Sequence, residues 1–359
     1  MRRVYQIPSS SFGRMLSESL IIFHYCKSKN RKLFLFTQKS ISNFFVLEIL
    51  GADSKIMKSL FSEKIYSLLL KLKRHALFLN QDRVFEGSNF FLHLLHAQRY
   101  YRIQFLSKTS AAPLSELVHL KNRPIVVFAA RTDHYWRSNH SNTEDEIAIR
   151  NSRIEWIEQL IRMLLDNEFS VIRIGTQANA PLSIKNRFYF DYSLSKIRND
   201  KGDFEICRQA DFAVTTGGGV SLLPSLMGIP GLMVNTGLFS DLQPQEFLHH
   251  YLPKSVHWQD SGLPLNLEEL NKIELLSMQR GSDYSSKGLE LHEVSPEDSL
   301  ATIQDFFHKT IPGIKQVSPS KDNFNSVPLV LLSQFPAEVP VSGETQAVGV
   351  RVHGLWKNF

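Results

Sequence analysis

Asp211-Phe-Ala-Val-Thr-Thr-Gly-Gly-Gly-Val-Ser-Leu-Leu-Pro-Ser-Leu-Met-Gly-Ile-Pro-Gly-Leu-Met-Val-Asn235 reads as strand, glycine turn, short helix, second turn and strand. Phe212 to Val214 are apolar and strand-prone, and Thr215 and Thr216 close the run. Gly217, Gly218 and Gly219 supply a turn in which positive φ is open and no Cβ blocks a close ligand. Val220 to Met227 fit a short helix, with Pro224 near its start, where a missing N–H costs little. Gly228 ends that helix, and Pro230 leads into a strand over Leu232 to Val234. A glycine turn feeding a helix N-terminus gathers backbone N–H groups and partial positive charge, which suits phosphate or another anion. The bland alternative is a βαβ turn whose glycines serve geometry alone.

Working outward, the same alternation repeats on both sides. Arg3 to Ile7 read as an opening strand, Leu16 to Lys27 as a helix and Arg31 to Thr37 as a strand, so the chain begins βαβ. Ser40 to Leu50 read as helical with Gly51 as cap, Lys58 to Leu79 as a basic amphipathic helix, and Asn89 to Phe105 as another helix. Lys108 to Asn122 connect to a second half. There Pro124-Ile-Val-Val-Phe-Ala-Ala130 is a buried-type strand, and Thr143-Glu-Asp-Glu146 is a capping box. It is expected to open a long helix whose apolar face carries Ile154, Ile157, Ile161 and Leu164. Strands over Phe169 to Gly175 and Arg187 to Tyr192, then a helix over Lys201 to Gln209, lead back to the glycine turn. Beyond Asn235, Ser255 to Trp258 read as a short strand and Pro296 to Phe307 as a helix capped by Ser295. From Pro312 the period is lost, and an appended hairpin or a poorly ordered tail is expected.

A length of 359 residues exceeds one ordinary core and implies two domains, expected at 1–115 and 120–310, with 311–359 as the tail. With 43% apolar and 21% charged residues the composition is that of a globular protein. Cys26 and Cys207 form no disulfide or metal pattern, which favours a reducing compartment. No apolar run approaches the ~18 residues of a membrane span and no leader is evident, so a cytoplasmic location is expected. The net charge of +6 hides an asymmetry: residues 1–123 hold 20 Lys+Arg against 7 Asp+Glu, and the remainder 21 against 28. A basic first half suits an anionic acceptor or a membrane surface, or is an ordinary solvated face. Nucleic acid is not expected as a partner, because no recognition motif accompanies these charges.

Strands separated by helices describe a parallel sheet covered on both faces, whose ligands bind at the carboxyl ends of the strands. Arg131, Arg173 with Gly175, Asp191 and the Gly217 to Gly219 turn fall at or near such ends. Phe12-Gly13-Arg14 follows the first strand and reads as a glycine loop walling a cleft. No Asp-x-Asp string occurs, and the adjacent His249 and His250 diverge on any regular element, so no metal site is expected.

Taken together, these blocks resemble a bacterial glycosyltransferase family of the two-Rossmann-domain (GT-B) type associated with surface-polysaccharide gene clusters. The strand ending in Arg131 resembles the family's His-x-Arg block. Arg150-Asn151, the helix to Leu165, Val171-Ile-Arg-Ile-Gly175, Asp191-Tyr-Ser, Asp203 to Cys207, the Gly217 turn and Pro230 to Asn235 follow in the family's order. Gly288-Leu-Glu-Leu-His-Glu-Val-Ser-Pro-Glu297 resembles the late block that introduces the last helix. The likeness covers residues 120–310, and residues 1–60 loosely. Two departures stand out: Ala129 occupies the histidine position, and Gly218-Gly219 replace a serine-glycine pair. Arg131-Thr-Asp133 also resembles the arginine motif of fucosyltransferases that grips a sugar-nucleotide diphosphate. The resemblance implies an α/β fold of two Rossmann-like domains facing across a cleft, and an inverting transfer of sugar from a nucleotide-sugar donor.

Such a transfer leaves a nucleoside diphosphate, whose developing charge a helix N-terminus and a fixed arginine can stabilise without a metal or other cofactor. The expected donor-binding set is Arg131, Arg173, Gly175, Asp191, Gly217, Gly218, Gly219, Val220, Ser221 and Asn235. The acceptor hydroxyl needs a general base, for which Asp133, His134 and Glu18 are candidates between which the sequence does not choose. Phe12, Gly13 and Arg14 are the expected acceptor-side loop. The acceptor is expected to be a glycan or lipid-linked oligosaccharide, with peripheral contact at an anionic inner membrane face. Two alternatives stand beside this: a sugar-nucleotide epimerase or hydrolase on the same fold, and a nucleotide-sugar-binding protein without catalysis, which Ala129 would suit.

Overall fold

Apolar runs without a polar face bury both faces of a strand, and such runs form the centre of a parallel sheet in the computed structural model of this chain. The structure describes residues 2–7, 12–28, 32–37, 44–50, 55–57, 90–110, 115–132, 149–175, 180–199, 201–237, 249–273, 278, 280–310 and 351–352. The chain divides into two compact units, Met1–Ser110 with Asp200–Phe204, and Ala111–Asn199 with Glu205–Phe359.

The first unit begins as βαβ. Strands β1 (Arg2–Ile7), β2 (Lys32–Thr37) and β3 (Lys55–Met57) lie side by side in that order, all parallel. Helices α1 (Phe12–Ser28), α2 (Phe44–Leu50) and α3 (Phe90–Lys108) pack together. Leu16, Leu20, Ile21 and Ile22 of α1 are buried among them. Phe45 and Phe105 meet Phe204 in an aromatic cluster, the last two stacked at 5.3 Å. The helix expected over Lys58 to Leu79 lies outside the described residues.

In the second unit, seven parallel strands are found among the described residues. They are β4 (Ile125–Ala129), β5 (Ser170–Arg173), β6 (Tyr189–Asp191), β7 (Phe212–Thr215), β8 (Gly231–Thr236), β9 (His249–Pro253) and β12 (Arg351–Val352). Their spatial order is β6-β5-β4-β7-β8-β9-β12. The chain builds outward from β4 to β6, then returns to the other side of β4 with β7. That reversal is the order of a doubly wound α/β sheet, in which ligands are received in a crevice at the carboxyl ends of the strands that flank the reversal, here β4 and β7. The central strands are apolar throughout: Val126, Val127, Phe128, Phe212, Ala213 and Val214 are all buried.

Helix α4 (Ile154–Asp166) buries Trp156, Ile157, Leu160, Ile161, Leu164 and Leu165, each contributing about 1.5–3 kcal/mol on burial. Helices α5 (Gly202–Gln209) and α6 (Leu222–Met227) follow β6 and β7 along the chain, and Phe306 and Phe307 of α9 (Pro296–Thr310) pack on Phe212. A separate antiparallel ribbon, β10 (Ser255–Trp258) with β11 (Leu289–His292), joins α7 (Leu267–Lys272) and α8 (Gly281–Ser285). Ile149, Met233, Tyr251, Val256, Leu265 and Leu289 share the apolar cluster beneath it.

Several expectations need correction. The long helix expected from Thr143 does not run through to Leu165, because residues 151–153 are not helical and α4 begins at Ile154. Long-range bonds hold that break: Ser152 N–H donates to Arg131 O at 3.1 Å and Arg153 N–H to Glu293 Oε1 at 3.0 Å. The capping-box residues themselves lie outside the described residues. Phe12-Gly13-Arg14 is the first turn of α1 rather than a loop. A glycine costs little where a helix is only starting, and the Phe12 ring is anchored edge-on to Phe204 at 6.4 Å. The tail expected at 311–359 lies outside the described residues apart from Arg351–Val352, which pair with β9.

Candidate functional site

The loops that leave β4 and β7 meet at the crevice. The register pairs Val126 with Phe212 and ends at Ala129 with Thr215. One residue further on, Thr216 N–H donates to Ala129 O at 3.0 Å, extending the ladder past the strand ends. The Thr216 hydroxyl Oγ1 accepts from Arg131 N–H at 2.8 Å. Arg131 is half-buried, and its side chain runs beside the glycine turn: a Cβ built on Gly218 would lie 3.8 Å from Arg131 Cδ.

The turn has the backbone that its glycines foretell. Gly217 and Gly218 both stand at φ +90°, a region that side chains disfavour. Gly218 is exposed, and Gly217, Gly219 and Val220 are half-buried, so the corner is open to a ligand. Among the described residues, no partner is found for the Gly218 or Gly219 N–H. Gly219–Ser221 form a single 3₁₀ turn and α6 follows with six residues, so the positive end consists of a few local amides rather than a long helix's dipole. The Ser221 hydroxyl turns inward and donates to Gly218 O at 2.5 Å, which closes the turn. Gly228 caps α6 in the left-handed conformation, φ +76°.

Arg173 and Asp191 form a buried strut. Arg173 is fully buried, and its Nη1 donates to Asp191 Oδ2 at 3.0 Å and to Ala180 O at 2.8 Å. Asp191 also accepts from the Tyr189 hydroxyl at 3.1 Å and from the Ser193 hydroxyl at 2.5 Å. Burial, with Asp191 beside it, pushes the Tyr189 phenol above its ordinary value. Neighbouring Gly175 stands at φ +136°, and its carbonyl accepts from Arg198 Nε at 2.7 Å.

Asn235 is buried in the left-handed conformation at φ +52°, where β8 bulges. Its Oδ1 accepts from Val294 N–H at 2.8 Å, while Val294 O accepts from Trp156 Nε1 at 2.7 Å. Asn235 thereby ties the end of β8 to the segment before α9. Glu293 adds a bidentate grip on Arg153, through its N–H at 3.0 Å and Nε at 2.7 Å. These tethers, like Thr216, are invisible to local sequence patterns because each partner lies far away along the chain.

Of the acid–base candidates, Asp133 and His134 lie outside the described residues, and Glu18 is buried on α1. Phe12 is half-buried in the first turn of α1, which also holds Gly13 and Arg14. The structure thus brings together Arg131, Gly217, Gly218 and Gly219. It joins Arg173 to Asp191, and it gives the Ser221 hydroxyl and the Asn235 Oδ1 to backbone partners.

No family model matches the chain, and no curated protein matches it. Among solved structures it is similar to ADP-heptose LPS heptosyltransferase II of E. coli, at 11% identity over 86% of this chain and 99% of that one, with a TM-score of 0.44. It is also similar to a family 9 glycosyl transferase from Veillonella parvula DSM 2008, at 8% identity over 86% and 98%, with a TM-score of 0.45. A third is S. aureus MnaA in complex with UDP, at 10% identity over 66% of this chain and 80% of that one, with a TM-score of 0.40.

Proposed function

We propose that this chain is a glycosyltransferase of the GT-B type that moves a sugar from a nucleotide-sugar donor to a glycan or lipid-linked acceptor in surface-polysaccharide synthesis. The observation that carries the reading is the approach of Arg131 to Gly218 at the carboxyl ends of β4 and β7. A pair of positive-φ glycines, Gly217 half-buried and Gly218 exposed, presents amides to an anion, and a guanidinium on the adjoining loop adds a planar charge that binds phosphate with two bonds. As the bond from the anomeric carbon to the leaving oxygen breaks, negative charge grows on the diphosphate. Groups fixed in advance around that charge favour the transition state over the ground state. Arg131 and the Gly217 to Gly219 amides are assigned this work, in a single inverting displacement. Arg173 and Asp191 are assigned to the structural strut instead, because they pair with each other through Nη1 and Oδ2 at 3.0 Å.

A thermal-shift panel of nucleoside diphosphates and nucleotide sugars tests the reading. A true donor at about 100 times its dissociation constant adds about 2.7 kcal/mol, and Arg131→Ala should remove most of that gain. A wild-type chain that no nucleotide stabilises would sink the proposal. Turnover of a nucleotide sugar with no acceptor present would point to an epimerase or hydrolase, and tight binding without any transfer to a binding protein.

A further inference from the structure

Resting on the site proposed above, we infer that Thr216 is a positioning residue that sets Arg131 against the glycine turn. Thr216 is 1% exposed, so its hydroxyl serves the protein interior and not a ligand. It sits where the two loops diverge. Its N–H holds the end of β4 through Ala129 O at 3.0 Å, and its Oγ1 holds the loop that follows through Arg131 N–H at 2.8 Å. The Arg131 carbonyl is held in turn by Ser152 N–H at 3.1 Å. With its backbone N–H and C=O both bonded, Arg131 has a fixed Cα–Cβ direction, and that direction carries its stem past Gly218. Thr216 also adjoins Gly217, so one residue couples the cation to the amides that would share a diphosphate. A valine in its place keeps the shape and the backbone bond to Ala129, but removes the acceptor that Arg131 N–H requires.

Calorimetric titration of ADP, UDP and GDP into the full chain tests this, using Thr216→Val, Thr216→Ser, Arg131→Ala and the double variant Thr216→Val with Arg131→Ala. Thr216→Val should weaken binding about tenfold while Thr216→Ser, which restores the acceptor, stays within about threefold of wild type. If Thr216 acts through Arg131, the valine substitution should cost little further affinity once Arg131 is alanine. Equal losses in both backgrounds, a serine variant as weak as the valine one, or a valine variant that binds like wild type would each overturn the inference. A wild-type chain that binds none of the three nucleotides overturns the diphosphate site itself, and this inference with it. Should the valine variant not fold, Thr216→Ala carries the same comparison.

Discussion

Two glycines of this fold resist substitution for different reasons, and stability measurements should separate them. At Gly218 a Cβ would find room, 3.8 Å from Arg131 Cδ, so the objection to a side chain is the backbone at φ +90°. Gly218→Ala should therefore fold, with a loss of about 1–3 kcal/mol in urea denaturation. At Gly237 a Cβ would fall 1.7 Å from Ile149 O, inside the carbonyl itself. The neighbour is backbone, so β8 or the Ile149 segment must move, and Gly237→Ala should cost more than Gly218→Ala, at or beyond the roughly 1–3 kcal/mol of an overpacked core. The reverse ranking would mean that the Ile149 segment yields more easily than the backbone at Gly218. The first glycine was legible in the sequence because three in a row between two apolar runs have few other uses. The second was not, because the peptide that crowds it arrives from a distant part of the chain. Thr216 is missed for the same reason, and Asn235 is expected among the donor-binding residues although its Oδ1 serves a distant backbone N–H; in both, the side chain meets a partner that only the fold supplies.

At the scale of elements, the apolar runs and the 3.6-residue period foretold most strands and helices, since a strand buried on both faces and a one-sided helix leave local signatures. What they did not foretell was set by long-range contacts. Strand β9 begins with two histidines and ends with proline, a pattern without alternation, and it is a strand because β8 pairs with it. The start of α4 is set by Arg131 and Glu293, not by a capping box. Strands β5 and β6 illustrate the energetics of such contacts. Removing one charge from the Arg173–Asp191 pair leaves the other buried alone, so Asp191→Ala should cost about 3–5 kcal/mol, whereas replacing both residues by leucine should cost far less. Equal losses in the two variants would show that the charges are not what holds β6. The same cluster makes stability depend on pH. The unfolded Tyr189 phenol ionises near its ordinary value of about 10, while the buried one stays protonated beyond it. The unfolded state therefore binds fewer protons, and stability should fall as pH rises above that value. Urea midpoints of wild type and Tyr189→Phe across the alkaline range should differ in slope, with the phenylalanine variant the flatter. Parallel slopes would remove Tyr189 as a source of the effect.

At the scale of the whole molecule, the charge is unevenly spread along the chain, and this bears on where an acceptor is met. Residues 1–123 carry 20 basic against 7 acidic side chains, while the rest carry 21 against 28. No helix among the described residues is long and apolar enough to cross a membrane, so the attraction to be tested is electrostatic. Each basic residue held near an anionic leaflet contributes about 1 kcal/mol, and the attraction decays over a Debye length of about 8 Å at physiological salt. The intact chain should therefore bind vesicles containing an anionic lipid, release them as salt is raised, and ignore vesicles of phosphatidylcholine alone. Exposed lysines allow the source to be located. Lys27 and Lys108 belong to the first unit, and Lys185 and Lys196 to the second. Reversing the first pair to glutamate should weaken vesicle binding at least tenfold, as about 1 kcal/mol per basic residue implies. Reversing the second pair should change it little. Binding indifferent to lipid charge, or weakened equally by both pairs, would separate the basic half of the chain from any membrane and leave a freely diffusing glycan as the acceptor to pursue.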